Sequence, residues 1–183
     1  PKKGGPVKDK PAPPPKPEPT IVEDTTFSEL GLQEQTLKAL ADLGFEIPTP
    51  IQALAIPVLV TGCDMIGIAQ TGTGKTAAFA LPILTKLGES NGKTRCLILE
   101  PTRELAAQVA EQFEKYGAGY KLNMALLIGG VSFGDQEKKL SAGVDVLIAT
   151  PGRLMDHFER GGLLMTGVQM LVIDEADRML DMG

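Results

Sequence analysis

The chain has 183 residues, 43% of them apolar and 22% charged, which is enough for one domain with a real core and too few for two full ones. Its 23 acidic and 18 basic side chains leave a net charge of −5. The first 22 residues run the other way, with five lysines against two acids, so bulk electrostatics argues against nucleic-acid binding by the remainder and any such function must rest on local sites.

No apolar run approaches the roughly 18 to 20 residues needed to cross a bilayer. The stretch from Ile51 to Val60 is about half that and contains Pro57. Cys63 and Cys96 are far apart and isolated, with neither the density of a disulfide scaffold nor metal-ligand spacing. They read as reduced thiols, and the expected setting is the cytoplasm. A start at Pro1 without Met is expected of a trimmed piece of a longer chain.

Residues 1–22 are rich in Pro and Lys, with the run Pro11-Ala12-Pro13-Pro14-Pro15-Lys16-Pro17. Too little apolar surface is available there to offset the entropy of ordering, so a disordered or polyproline-like extension is expected. It reads as a plain linker before it reads as a partner-binding tail. From Phe27 onward the pattern changes, and one folded domain is expected over residues 23–183, incomplete at its C-terminus. Leu30, Leu32, Leu37, Leu40 and Leu43 recur at helical spacing, with Gly44 as a stop, and Thr49-Pro50 opens a second helix.

Short apolar runs then alternate with amphipathic stretches. The runs are Asp64 to Ala69, Cys96 to Leu99, Met124 to Ile128, Val144 to Ala149 and Met170 to Ile173. Helices are expected over Lys75 to Leu87, Arg103 to Tyr116, Phe133 to Leu140 and Arg153 to Arg160. Short runs apolar on both sides mark buried parallel strands, and the helices between them supply the crossovers. The fold class is α/β, doubly wound, with a mostly parallel sheet whose ligands sit beyond the carboxyl ends of the strands.

After the first run comes Ala69-Gln70-Thr71-Gly72-Thr73-Gly74-Lys75-Thr76. This has the phosphate-loop form, with Ala69 where the first Gly normally stands. Gly72 and Gly74 let backbone N–H groups converge on a polyphosphate, and the next helix aims its positive end at the anion. Lys75 then neutralises the terminal phosphates, and the Thr76 hydroxyl is a Mg²⁺ ligand. A bare Gly-rich turn is the competing reading. A phosphate loop calls for a second element, an apolar strand ending in an acid, and Leu171-Val172-Ile173-Asp174-Glu175 fits it. Asp174 would anchor the ion and Glu175 would polarise the attacking water. Seen alone, the two acids could simply open a solvated helix.

Asp174-Glu175-Ala176-Asp177 resembles the motif that gives the DEAD-box RNA helicases their name. From Phe27 to Gly183 the chain resembles the first RecA-like domain of a bacterial member, a phosphate-loop NTPase domain. The resemblance implies ATP and Mg²⁺ as cofactors and RNA as partner, with protein partners through the tail or a second domain and no membrane. It implies an adenine-recognising element in Gly44-Phe45-Glu46-Ile47-Pro48-Thr49-Pro50-Ile51-Gln52, with Phe27 upstream. Phe45 would stack on adenine and Gln52 would hydrogen-bond its edge, since a carboxamide offers a matching acceptor and donor. Thr49-x-x-Gln52 is also a capping box, and Phe27 could equally be a core aromatic.

Three further stretches match the family's RNA-contacting motifs: Pro101-Thr102-Arg103-Glu104-Leu105, Gly129-Gly130, and Thr150-Pro151-Gly152-Arg153. Helix capping explains Thr102, Thr150 and Pro151 about as well. The functional reading adds that helix N-termini, hydroxyls and arginines hold phosphates without reading bases. Asp177 would couple to a Ser-Ala-Thr motif, which the resemblance implies beyond Gly183 together with a second RecA-like domain carrying an arginine finger. This chain alone is therefore expected to turn over little or no ATP. Two rival readings are a phosphate-loop NTPase acting on another substrate and a non-catalytic module recruiting partners through the tail. His157, the single histidine, is expected at a helix surface or end, and Met165, Met170, Met179 and Met182 read as packing surface.

Overall fold

Four of the apolar runs form strands, and in those at Cys96–Leu99 and Val146–Ala149 the side chains of both faces find a layer to enter. The computed structural model describes residues 25–182; the extension expected over 1–22 lies outside them. A 3-10 turn at Phe27–Glu29 leads into α1 (Glu34–Asp42), α2 (Pro50–Val60) and α3 (Lys75–Leu87). Then β1 (Cys96–Leu99), α4 (Arg103–Tyr116), β2 (Met124–Leu127), α5 (Phe133–Ser141), β3 (Val146–Ala149), α6 (Pro151–Glu159), β4 (Met170–Ile173) and α7 (Ala176–Asp181) follow in alternation.

The sheet has the order β2-β3-β1-β4 with every pair parallel. Alternate residues sort cleanly onto its two faces. Cys96, Ile98, Val146 and Ile148 enter a cluster with α1 to α4, whereas Leu97, Leu147 and Ala149 pack with Leu140 of α5 and Leu154 of α6. Helices on both faces make the fold doubly wound, and the chain switches direction at β1, so the carboxyl ends of β1, β3 and β4 frame the crevice where such folds place ligands. The buried Cys96 thiol is pushed up to about 12 by desolvation, which leaves it inert, while Cys63 is exposed. Among the described residues no helix is long and apolar enough to cross a membrane.

One expected strand does not join the sheet. Residues 63–70 form no strand, and Ile66 and Ile68 stand 97% and 96% exposed. The apolar run suits a buried strand, but a ladder needs a neighbour at about 4.8 Å, and no described strand pairs with this stretch. A groove of about 540 Å³ separates it from β4, whose Leu171 and Ile173 are more than half exposed.

On the opposite side of β1, a buried carboxylate pins the loops that enter β1 and β3. Asp145 is fully buried and accepts from Arg95 Nη2 at 2.8 Å, Asn123 N at 3.0 Å, Asn91 N at 3.2 Å and Ser90 Oγ. Burial opposes its ionisation, but the Ser90, Asn123, Arg95 and Asn91 donors prevail and hold it below the usual carboxylate range. Asp145→Ala removes the buried partner of the Arg95 ion pair and of two backbone amides, so a loss of about 3–5 kcal/mol is expected in urea unfolding. A midpoint unchanged from the parent would remove this pin from the account.

Candidate functional site

The phosphate loop owes its shape to two left-handed glycines. Gly72 and Gly74 have φ of 83° and 86°, values that a Cβ would strain. Gly74 is the N-cap of α3, and the Thr73 hydroxyl donates to Gln70 O at 2.7 Å, closing the turn. Gln70, Thr71 and Gly72 are exposed, while Ala69, Thr73, Gly74, Lys75 and Thr76 are half-buried. The loop thus sits at the N-terminus of α3, where free amides and the helix dipole favour an anion.

Lys75 opens α3 and reaches the acid pair a hundred residues downstream. Its Nζ lies 2.9 Å from Glu175 Oε1. The Glu175 bond raises the Lys75 pKa, burial opposes the rise, and the Asp174 charge adds to it, so the ammonium stays charged. Glu175 itself is bent to make this contact. With φ 50° and ψ 43° it is the one described non-glycine residue at positive φ, a conformation costing about 1–3 kcal/mol. Its N–H donates to Asp174 Oδ1 at 2.9 Å. Asp174 continues β4 through a bond to Leu99 O, and burial raises its pKa. Asp177, one turn on, is exposed.

No group of three or more His, Cys, Asp or Glu among the described residues could hold a metal by itself. Magnesium bound with a polyphosphate takes most of its shell from phosphate and water and needs only one or two protein oxygens. The half-buried Thr76 hydroxyl and the Asp174 carboxylate fit that sparse role.

The adenine element divides in the structure. Gln52 is 2% exposed, its Oε1 accepting from Thr49 N at 2.9 Å and its Nε2 donating to Gly74 O at 3.2 Å. The capping reading of Gln52 therefore holds, and the same amide also braces the phosphate loop. Phe45 follows the left-handed Gly44, is 40% exposed, and meets Tyr116 edge-on at 6.1 Å. Phe27 is 4% exposed and belongs to the main core cluster with Leu30 and Leu32, so of its two readings burial supports the core aromatic.

A second groove, of about 380 Å³, gathers residues from three separate motifs. Pro101, Thr102, Arg103, Gly129, Thr150 and Arg153 line it together with Glu104, Asp156 and Met182. Gly130 is exposed beside it at φ 82°, and Gly152 is exposed on α6. Thr102 does cap α4, accepting from Leu105 N at 3.3 Å. Thr150 makes no side-chain cap bond, which leaves its hydroxyl for other work. Arg103 reaches Gly129 O at 3.5 Å and stays exposed.

Sequence reasoning missed two buried groups near these sites. Glu100, at the end of β1 beside Asp174, is 1% exposed and its Oε1 has no hydrogen-bond partner. Burial and the Asp174 and Glu175 charges push its carboxyl up to about 8, with Lys75 pulling the other way. A Glu closing the apolar run Cys96-Leu97-Ile98-Leu99 was the available signal. Gln136 was the other, and no local pattern marks it. His157, expected at a helix surface or end, stands in the last turn of α6 but is fully buried, stacked on Phe133 at 3.9 Å. Phe133 and Gln136 of α5 are the partners that make the site interior.

A parallel α/β sheet with a glycine-shaped phosphate loop facing an acid pair defines the class of phosphate-loop NTPase domains. The DEAD/DEAH box helicase family profile matches residues 49–183, and the chain belongs to that family. It is 50% identical over 159 residues to the ATP-dependent RNA helicase DeaD of Mycobacterium tuberculosis, covering 86% of this chain and 28% of that protein. It is 49% identical over 163 residues to ATP-dependent RNA helicase DeaD of Escherichia coli K12, covering 87% and 26%. A solved DEAD box protein from the hyperthermophile Methanococcus jannaschii superposes with a TM-score of 0.83 at 40% identity, over 88% of this chain and 44% of that one. The chain thus spans between a quarter and a third of these curated relatives.

Proposed function

We propose that this chain is the nucleotide-binding part of an ATP-dependent RNA helicase, in which ATP hydrolysis is coupled to local separation of RNA strands. The observation that carries the reading is the 2.9 Å contact between Lys75 and Glu175. It supports a site where the phosphate loop and the acid pair enclose one reacting group. Lys75 and the loop amides of Gly72 to Thr76 bind the phosphates, and Phe45 and Gln52 select adenine. Gln52 must release one of its two bonds to do so. Thr76 and Asp174 hold Mg²⁺, which supplies charge neutralisation at the transferred phosphoryl group. Glu175 accepts the proton of the attacking water once phosphate has replaced it on Lys75.

RNA lies in the second groove, held through its backbone by Pro101, Thr102, Arg103, Gly129, Gly130, Thr150, Gly152 and Arg153. A few donors on an acidic body suffice for such a grip, and the affinity falls with salt. Asp177 faces the remainder of the relatives' length and couples the two sites there, and an arginine from a second domain completes catalysis. Such an enzyme works on RNA in the cytoplasm, and the Pro/Lys extension is available to protein partners.

In the intact polypeptide, single-stranded RNA is expected to stimulate phosphate release from ATP, and ATP is expected to bind more tightly than GTP. Equal binding of the two nucleotides, with no response to RNA, would favour an NTPase with another substrate.

A further inference from the structure

Arg153 is held in place by more than its own helix. Its Nε donates to Gln136 Oε1 at 2.9 Å and its Nη2 to Val131 O at 2.7 Å, while its guanidinium lies 4.5 Å from the Phe133 ring centre. Nη1 makes no hydrogen bond, only a 4.0 Å approach to Asp156, and Arg153 lines the second groove.

Gln136 is 2% exposed, and both ends of its amide are engaged. Its Nε2 donates to Ile128 O at 2.9 Å, which fixes which end of the amide is oxygen. That oxygen also meets His157 Nε2 at 2.8 Å. An amide oxygen only accepts, so His157 carries its proton on Nε2. Its Nδ1 is left buried without a partner.

We propose that Gln136 is a positioning residue for Arg153: it fixes the guanidinium with Nη1 turned to the groove before any ligand arrives. The inference rests on the RNA-backbone reading of that groove. The task demands an amide. One end must accept from Arg153 and His157 while the other donates to a backbone carbonyl, and a carboxylate would turn an oxygen against Ile128 O. A long arginine fixed in advance loses less rotamer freedom on binding a phosphate, so the grip is stronger than that of a free arginine.

The test is RNA-stimulated ATP hydrolysis by the intact polypeptide with a single-stranded homopolymer RNA. Gln136→Met keeps the length and removes both polar ends. It is expected to raise the KM for RNA about tenfold, as loss of a hydrogen bond to a charged group does. The kcat at saturating RNA and the affinity for ATP alone should stay within about twofold, a split that general loosening of the fold would not give. Gln136→Asn, one methylene too short to reach Arg153, should behave alike and serves if the Met variant fails to fold. Adding either change to Arg153→Ala should cost nothing further. A parental KM in both Gln136 variants, or full additivity with Arg153→Ala, would overturn the positioning role. An unchanged KM in Arg153→Ala alone would instead remove the RNA reading of Arg153, and this inference with it.

Discussion

Glu175→Gln is expected to keep ATP bound and to slow its hydrolysis by about 10²- to 10⁴-fold, the range for loss of a positioned general base. Glu175 holds Lys75 at 2.9 Å through a backbone bent to positive φ. Incoming phosphate must take that lysine, so carboxylate and nucleotide compete for one cation. A neutral amide competes less, and the variant should bind ATP at least as tightly as the parent. Lys75→Ala gives the opposite split, because removing the cation weakens binding as well as turnover. Labelled-ATP binding and phosphate release with saturating RNA separate the two. Hydrolysis by Glu175→Gln at the parental rate would place the water-polarising group elsewhere.

Local chemistry was legible in the sequence wherever one short segment carries it. The phosphate loop, the acid pair and the strands β1 to β4 were all marked by glycine spacing or by apolar runs of strand length. The strand expected over Asp64 to Ala69 failed for an instructive reason. A short apolar run reports that the residues suit a strand, but whether another strand lies close enough to pair is decided by topology. The burial of Phe27 and His157 was less legible, since it depends on partners far along the chain. His157 is interior because Phe133 and Gln136 cross over it. Gln52 lay between these cases. Its capping role was readable from Thr49-x-x-Gln52, whereas its second bond, to Gly74 O, could emerge only once α2 packed on the phosphate loop.

Glu100→Gln is expected to stabilise the protein in alkaline solution and to leave it unchanged in acid. The parent carboxyl is buried beside Asp174 and its pKa is pushed from 4.5 up to about 8. Between those values the folded state holds a proton that the unfolded state releases. Stability from this group is therefore complete below about pH 4.5 and is lost progressively as pH rises to about 8. At roughly 1.4 kcal/mol per pH unit, the loss is on the order of 5 kcal/mol. An amide has the same shape and no proton to lose, so urea midpoints for parent and variant should coincide near pH 4.5 and diverge up to pH 9. The same titration reaches the nucleotide site. At neutral pH the protonated Glu100 adds no third negative charge behind Asp174 and Glu175, whereas its ionised form repels a polyphosphate. ATP affinity should accordingly fall above about pH 8 in the parent and stay level in Glu100→Gln. Stability curves that run parallel from pH 4.5 to 9 would show that Glu100 ionises in the folded chain as it does in water.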